Sequence, residues 1–568
     1  MIVGIDLGTT NSLIAFYDKD QVKIIPNRLG KLLTPSVVSV DDDHQILVGE
    51  TAREYGYLHP DCTAKAFKRT MGTDKKYMLN GMEFLSEELS SFVLRSLVED
   101  AENYLGEKVS EAIISVPAYF NDNQRKATKK AGELIGLKVS RIINEPTASA
   151  LAYGVGSDDK NERCMVFDLG GGTFDVSILE YYKSIMEVHA IAGENELGGE
   201  DFTIALMDLF VKKAGLDHEL LDLYSLNNLY KISEKSKCEF SFSDEVTMSF
   251  KYLGNIYQED ISLEEYEEAC EPLLDKLRRP VEKSLSDAKI TLHDLDRIIM
   301  VGGATRLPLV RNFVQRLMFS HLEYVVDPDT AVVVGAALQV AMKQRNKQVE
   351  EVILTDVCPF TLGTSVVHDN GVFTEAGYYL PIIERNTVIP VSKKQTVYTA
   401  HDNQKTVCVQ ILQGESRLSK NNLLLGEINM DVPEGPKGKE AVEIVYTYDV
   451  NSLLEVEVTV VSTGEKQKII VQSQYSDMNN KEMQERFEVL QYLKQNPREE
   501  EENYLAMLRG NRIYEETLGK DKARVEQALN EFDEVLVSGS RLEIERKRKS
   551  LMDLLDEMED QQEEIFLA

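Results

Sequence analysis

Two short stretches carry residue types suited to holding phosphate. Ile2-Val3-Gly4-Ile5-Asp6-Leu7-Gly8-Thr9-Thr10-Asn11-Ser12 is one, and Met165-Val166-Phe167-Asp168-Leu169-Gly170-Gly171-Gly172-Thr173-Phe174-Asp175 is the other. In each, an apolar run brings a carboxylate, Asp6 or Asp168, to a turn of glycine and hydroxyl residues, and a second apolar run follows. Small residues let the backbone come close to an anion, and successive N–H groups form an anion-binding concavity. The neighbouring carboxylate suits a hydrated Mg²⁺, a hard cation that takes oxygen ligands and keeps waters. A single stretch of this kind also describes an ordinary hairpin. Two of them, with Asp6 and Asp168 standing 162 residues apart, fit a duplicated α/β domain whose lobes grip one nucleotide between them.

Further chemistry-bearing residues stand near these turns. Ala66-Phe67-Lys68-Arg69 reads as helical. Such cations usually line a solvated face; beside a phosphate site, one of them neutralises charge or holds an attacking water. A third glycine cluster, Val301-Gly302-Gly303-Ala304-Thr305-Arg306, follows a buried run. It reads either as a plain strand-to-helix turn or as a flat seat for a nucleoside, with Arg306 beside the base.

The elements that position these residues follow from hydrophobic period. Helical spacing runs through 84–105, and Ala112–Val116 is a buried strand ending at Pro117. A helix is expected from Asp122 to Gly136, and another opens at Asn144-Glu145-Pro146, where proline suits an early helical position. Residues 328–342 are a small-residue helix able to pack closely on a neighbour. After Glu350 the alternation of strands and helices stops. Short β runs follow at 387–390, 395–400, 407–413, 441–448, 454–461 and 467–471, reading as a β-sandwich. Val407 to Leu412 is apolar on both faces, which means either a groove for an extended peptide or full burial between two sheets. From about 476 the chain is charged and helical, with amphipathic segments at 481–494, 497–508, 522–536 and 542–565.

Composition narrows the function classes. A chain of 568 residues holds several domains. A net charge of −33 repels nucleic acid and anionic membrane, so neither is expected as a partner. Six scattered cysteines without a C-x-x-C pair fit reduced thiols in a cytoplasmic protein. Met1 leads directly into a strand without a basic leader, and no apolar run reaches the roughly 18 residues a membrane helix needs.

Ile5–Ser12, Val116–Asp122, Ile143–Ala148, Phe167–Asp175 and Val301–Arg306 together resemble the DnaK-type, seventy-kilodalton heat-shock chaperones, over essentially the whole chain. The resemblance implies an actin-like (ribonuclease-H-like duplicated) two-lobed ATPase at 1–349, a linker at 350–357, a β-sandwich peptide-binding domain at 358–475 and a helical lid at 476–568. It implies ATP or ADP with Mg²⁺, and leaves room for K⁺. Asp6 and Asp168 would hold Mg²⁺ through water, and Gly8, Thr9, Thr10, Asn11, Gly170, Gly171, Gly172 and Thr173 would grip phosphates. Lys68 and Glu145 would position the attacking water, and Thr173 would meet the γ-phosphate. Glu234, Lys237 and Ser241, with Gly302, Gly303, Arg306 and Asp329, match the family's adenosine clamp. Pro117 and Arg125 would relay the nucleotide state. Arg141, Asn144, Leu354 and Asp356 match positions for a J-domain co-chaperone or a docked linker. Val367, Ala400, Val407 and Val409 align with the peptide groove.

The function so implied is an ATP-dependent, monomeric, cytoplasmic chaperone that binds unfolded client peptides, works with a J-domain partner and with or without an exchange factor, and serves protein folding or stress. Thr355 in the linker, Thr364 and Val397 at the groove, and the short 73–87 and post-242 regions depart from the pattern and resemble the specialised bacterial HscC-like members. Two other classes compete. A small-molecule (sugar) kinase of the same superfamily shares the phosphate turns but has no use for the β and helical regions; an actin-like filament protein is the other.

Overall fold

The structure is a computed structural model that describes residues 1–19, 21–154, 162–182, 185–318, 327–344, 353–369, 374–449, 454–471, 501–517, 519–538 and 541–567. The chain divides into two compact units, Met1–Phe360 and Thr361–Ala568.

The first unit contains the same strand pattern twice. In one lobe, β1 (Ile2–Asp6), β2 (Asn11–Asp18) and β3 (Gln21–Ile24) form an antiparallel meander. Then β4 (Glu111–Val116) returns parallel to β1, and β5 (Lys138–Asn144) lies parallel to β4. In the other lobe, β6 (Glu162–Leu169), β7 (Phe174–Tyr182) and β8 (Ile185–Glu194) make the second meander. There β9 (Arg297–Val301) lies parallel to β6, as β4 does to β1. Asp6 ends β1 and Asp168 stands one residue from the end of β6, so each carboxylate is delivered to the same end of its sheet.

Each lobe has its own apolar core. Val3, Ile5, Ile14, Leu89, Val93, Ile114 and Phe120 belong to the first, and Phe167, Phe174, Phe202, Phe210, Tyr266 and Met300 to the second. The small-residue helix spans Ala331–Lys343 and packs on β1, β2 and the helix Glu145–Ala152. Gly335 makes that approach possible, because a Cβ there would lie 1.7 Å from the Ala148 carbonyl oxygen.

Several elements differ from the periodic reading. Phe67–Thr70 is a single 3₁₀ turn rather than a longer helix, entered through Ala66 in the left-handed region. The helix opening at Asp122 stops at Glu133, and Gly136 follows at positive φ. Part of the expected connector also forms a strand: β10 (Ile353–Val357) pairs in parallel with β8, Glu187 opposite Thr355, inside the first unit.

In the second unit, β11 (Leu362–Asp369), β12 (Thr374–Ile383), β14 (Thr406–Gln413) and β15 (Leu423–Asp431) make one antiparallel sheet, in the order β12-β11-β14-β15. The other holds β13 (Val391–Tyr398), β16 (Ala441–Tyr448), β17 (Leu454–Val460) and β18 (Lys466–Val471). The buried Tyr446 hydroxyl donates across the two sheets to the Gly363 carbonyl at 2.9 Å. Strands β11, β12 and β15 were not among the β runs read from the sequence. Three helices follow, Glu501–Glu516, Gly519–Ser538 and Arg541–Leu567, packed through Ile513, Val525, Phe532, Leu551 and Leu555. The segment expected to be helical at 481–494 lies outside the described residues, as does the 476 boundary. Among the described residues, no helix is long and apolar enough to cross a membrane.

Candidate functional site

The Asp-Leu-Gly turns of the two lobes meet at a cavity of 920 Å³. Gly8, Thr9, Thr10 and Asn11 line it from one side, Gly170, Gly171 and Thr173 from the other. The turns are interlocked: a Cβ on Gly171 would fall 1.8 Å from the Thr10 hydroxyl oxygen. Gly172, expected among the phosphate-gripping glycines, does not line the cavity. Its carbonyl accepts from Arg69 Nε at 3.0 Å, and the same guanidinium donates to Asp201 at 2.7 Å. The 3₁₀ turn thus splits the two neighbouring cations: Arg69 braces the second lobe's turn while Lys68 faces the cavity.

Lys68 and Asp168 are buried where the two lobes meet. Lys68, a residue only 3 % exposed, donates from its ammonium to Glu145 at 2.8 Å. Glu145 is the first residue of its helix, where an acidic side chain suits the N-terminal end of the dipole. Asp6 accepts from the Ser115 hydroxyl at 2.7 Å on the neighbouring strand. Desolvation, reinforced by Glu145, pushes the Asp6 carboxyl up to about 7. Burial, with Glu145, Asp175 and Asp6 close by, holds Asp168 well above the usual carboxylate range. Asp175 sits on β7 directly opposite Asp168 across the β6–β7 pair; burial and Glu145 raise it to about 8. It does not line the cavity but lies near enough to Glu145 and Lys68 to feel their charges, and the sequence assigns it no role. Strand alternation alone does not say that Asp175 turns toward Lys68 rather than toward a second layer.

The residues present fit a hydrated Mg²⁺. Asp168 Oδ2 is buried without a hydrogen-bond partner, and crowded carboxylates that raise one another are what a divalent cation relieves. Among the described residues, no group of three or more His, Cys, Asp or Glu side chains is placed to hold a metal ion directly.

The far wall suits a nucleoside. Gly302 adopts φ 84° at the end of β9, and with Gly303 it leaves the wall flat. Arg306 is held by Asp327 and, at 3.1 Å, by Asp329. Opposite stands the helix Leu223–Glu239, bringing Glu234 and Lys237, with Ser241 just beyond its end. The Lys237 ammonium donates to the Gly199 carbonyl at 2.9 Å, to Thr203 at 2.8 Å and to Glu234 at 2.7 Å. Tyr230, Lys65 and Glu200 also line the cavity and were not anticipated; nothing in their local spacing marks them.

The expected relay residues lie outside the cavity. Pro117 follows the end of β4. Arg125 donates to the Phe120 carbonyl at 3.0 Å, the Ala118 carbonyl at 3.1 Å and Asn144 at 2.7 Å. Asn144, one residue before Glu145, donates in turn to Asp356 on β10. Burial raises the Asp356 carboxyl, with Arg125 and Arg141 opposing the rise. Leu354 pairs through its backbone with Met186. In the second unit, Val407 and the buried Val409 alternate along β14, Val367 lies on β11, and Ala400 follows β13 with its N–H on Gln404 at 2.8 Å.

A duplicated α/β unit with a buried Lys–Glu pair in a cavity between two Asp-Leu-Gly turns fits the framework of a two-lobed ATPase. The Hsp70 protein family model matches residues 2–80 and 74–566, and the chain belongs to the Hsp70 family. It is similar to the chaperone protein DnaK of Thermotoga neapolitana, 38% identical over 572 residues, covering 98% of this chain and 93% of that one. The DnaK chaperones of Thermosipho melanesiensis and Thermosipho africanus are 40% and 41% identical over 488 residues, covering 84% of this chain and 80% of each. The chain is an Hsp70 ATP-dependent chaperone and an ATPase, and the sugar-kinase alternative is not favoured.

Proposed function

We propose that ATP lies with its phosphates between the two Asp-Leu-Gly turns and its nucleoside between the Gly302–Arg306 wall and the Glu234–Ser241 segment. The observation that carries this reading is the buried Lys68–Glu145 pair at 2.8 Å, in a cavity lined by both aspartates. Lys68 holds the attacking water and places positive charge where the γ-phosphoryl group sheds its bond; Glu145 keeps Lys68 in place and orients the water. Thr173 and Thr9 donate to the phosphate oxygens. Mg²⁺, held through water by Asp6 and Asp168, would neutralise charge on the phosphates. The chemistry is positioning and electrostatics, with no covalent intermediate.

Hydrolysis drives a peptide-binding cycle. Residues 1–349 act as the ATPase and 350–357 as the linker. Residues 358–475 act as a β-sandwich gripping an extended hydrophobic peptide at Val367, Ala400, Val407 and Val409, and 476–568 as the lid. The Arg125–Asn144–Asp356 contacts support a relay from the ATPase to the linker, and the same surface, with Arg141, is the docking place for a J-domain co-chaperone. The protein acts as a monomer in the cytoplasm, is akin to the specialised bacterial HscC-like members, and works with Mg²⁺ alone or with K⁺ beside it, and with or without an exchange factor.

Single-turnover ATP hydrolysis with and without an unfolded peptide and a J-domain tests it. Peptide should speed hydrolysis, because coupling between two sites is reciprocal. Hydrolysis that neither addition changes would sink the chaperone cycle and leave only an ATPase. Thr173→Ala should hydrolyse slowly while still binding ATP; a normal rate removes Thr173 from the mechanism.

A further inference from the structure

The nucleoside end of the cavity contains a thiol that the reading above does not use. Cys238 is exposed and lines the cavity beside Lys237. Its Sγ lies 3.9 Å from Glu234 Oε1. Cys164, Cys270 and Cys358 are buried, Cys62 is half-buried, and the other exposed cysteine, Cys408, belongs to the second unit. Among the described residues, Cys238 is the cysteine that lines the cavity.

What the cavity holds follows from observations independent of the thiol. Asp168 Oδ2 is buried, lacks a partner and belongs to a residue lining the same cavity. The phosphate turns occupy the Asp6–Asp168 side, so the base must reach the wall built by Gly303, Arg306 and the Leu223–Glu239 helix. On that wall, Lys237 is tied by three hydrogen bonds and Arg306 by two aspartates. Cys238 is small, carries no charge to satisfy and is open to the space.

We propose that Cys238 packs against the nucleobase, so that nucleotide occupancy and modification of this thiol exclude each other. The site then takes two kinds of ligand: a purine nucleotide, or, when it is free of nucleotide, a small disulfide or alkylating electrophile. With a disulfide, the Cys238 thiolate attacks one sulfur and a new S–S bond forms. The original S–S bond breaks, and its other half leaves as a thiolate carrying the electron pair. Cys238 is oxidised as the leaving thiol is reduced, and no further oxidant is needed. Partial desolvation at the cavity wall and the Glu234 carboxylate hold the thiol above its ordinary range, so the reaction should quicken with rising pH.

The proposal rests on the nucleotide reading, and the full-length chain in a Cys408→Ser background separates the two. Iodoacetamide labelling of Cys238, followed by peptide mass spectrometry, is timed with and without Mg·ADP. At about 100 times the dissociation constant, about 1% of cavities stay free and labelling should slow roughly 100-fold. Chains alkylated, or treated with glutathione disulfide, should lose binding of a fluorescent ADP, and reductant should restore it only after the disulfide. Whatever ADP binding Cys238→Ser retains should be the same before and after either reagent. Equal labelling rates with and without ADP, or full ADP binding by modified chains, overturn the Cys238 proposal alone. An unmodified chain that binds no ADP overturns both readings.

Discussion

At the scale of single residues, Lys68 is the side chain whose removal should matter most. Its ammonium is desolvated and fixed by Glu145, so its charge acts in a medium where it is worth far more than in water. Lys68→Ala should lower the single-turnover hydrolysis rate by about 10²–10³, the usual cost of losing one preorganised donor. Rapid-quench measurement checks this, and an unchanged rate would move catalysis elsewhere. Arg69, one position on, should behave differently. Its bonds go to Gly172 and Asp201 rather than to the cavity floor, so Arg69→Ala should loosen nucleotide binding more than it slows the chemical step. Residue types alone left the choice between these two cations open, and only the family resemblance singled out Lys68. What decides it is the 3₁₀ geometry after Ala66, which adjacent positions in a sequence cannot reveal.

At the scale of elements, close packing and helix caps carry the testable consequences. Gly335→Ala drives a methyl into the Ala148 carbonyl, and the overpacking should cost about 1–3 kcal/mol in denaturant unfolding of the chain. Glu265 starts a helix by accepting from the Ser262 N–H and also pairs with Lys213 at 2.6 Å. The Lys213 and Ser262 contacts lower its carboxyl from the ordinary 4.5 to about 2. Between those values the unfolded chain holds a proton that the folded chain does not, so the Glu265 contribution is full above about 4.5 and lost as pH falls toward about 2. Glu265→Gln should flatten that part of the acid-unfolding curve; a curve of unchanged slope would mean the pair does not form. Legibility was also uneven among elements. The Asp-Leu-Gly hairpins were plain because their two flanking strands are local and apolar. Strand β15 was missed because Gly426 interrupts it and its faces alternate only from Ile428 onward. The pairing of β10 with β8 was not legible, because β8 is far away in the chain and parallel pairing leaves no local trace.

At the scale of the whole molecule, a short series of polar contacts joins the end of β4 to β10, and the proposed relay to the second unit runs along it. Arg125 reads the carbonyls of Ala118 and Phe120, Asn144 joins it, and Asp356 closes the series on the strand that precedes the second unit. Glu145, the partner of Lys68, is the next residue after Asn144, so a shift at the Lys68–Glu145 pair would reach Asn144 across one peptide. Asp356→Ala should leave basal hydrolysis largely in place while the stimulation by unfolded peptide falls toward nothing. Coupling free energies of about 1–3 kcal/mol correspond to roughly 5–150-fold stimulation, so the loss is measurable in a steady-state assay. Stimulation equal to that of the unsubstituted chain would show that coupling bypasses this series.

The interlocked turns have a consequence for how such a molecule can change over generations. Thr10 belongs to one copy of the repeated pattern and Gly171 to the other, and a single added carbon at Gly171 would collide with the Thr10 side chain. A duplicated gene ordinarily frees its halves to drift apart. Here the halves meet inside one van der Waals radius, so a larger residue at position 171 becomes tolerable only where position 10 has already shrunk. Gly171→Ala should therefore be rescued by Thr10→Gly to a greater degree than by any change confined to its own lobe, with nucleotide binding as the readout. The two lobes are separate in their cores but share one history at this point of contact.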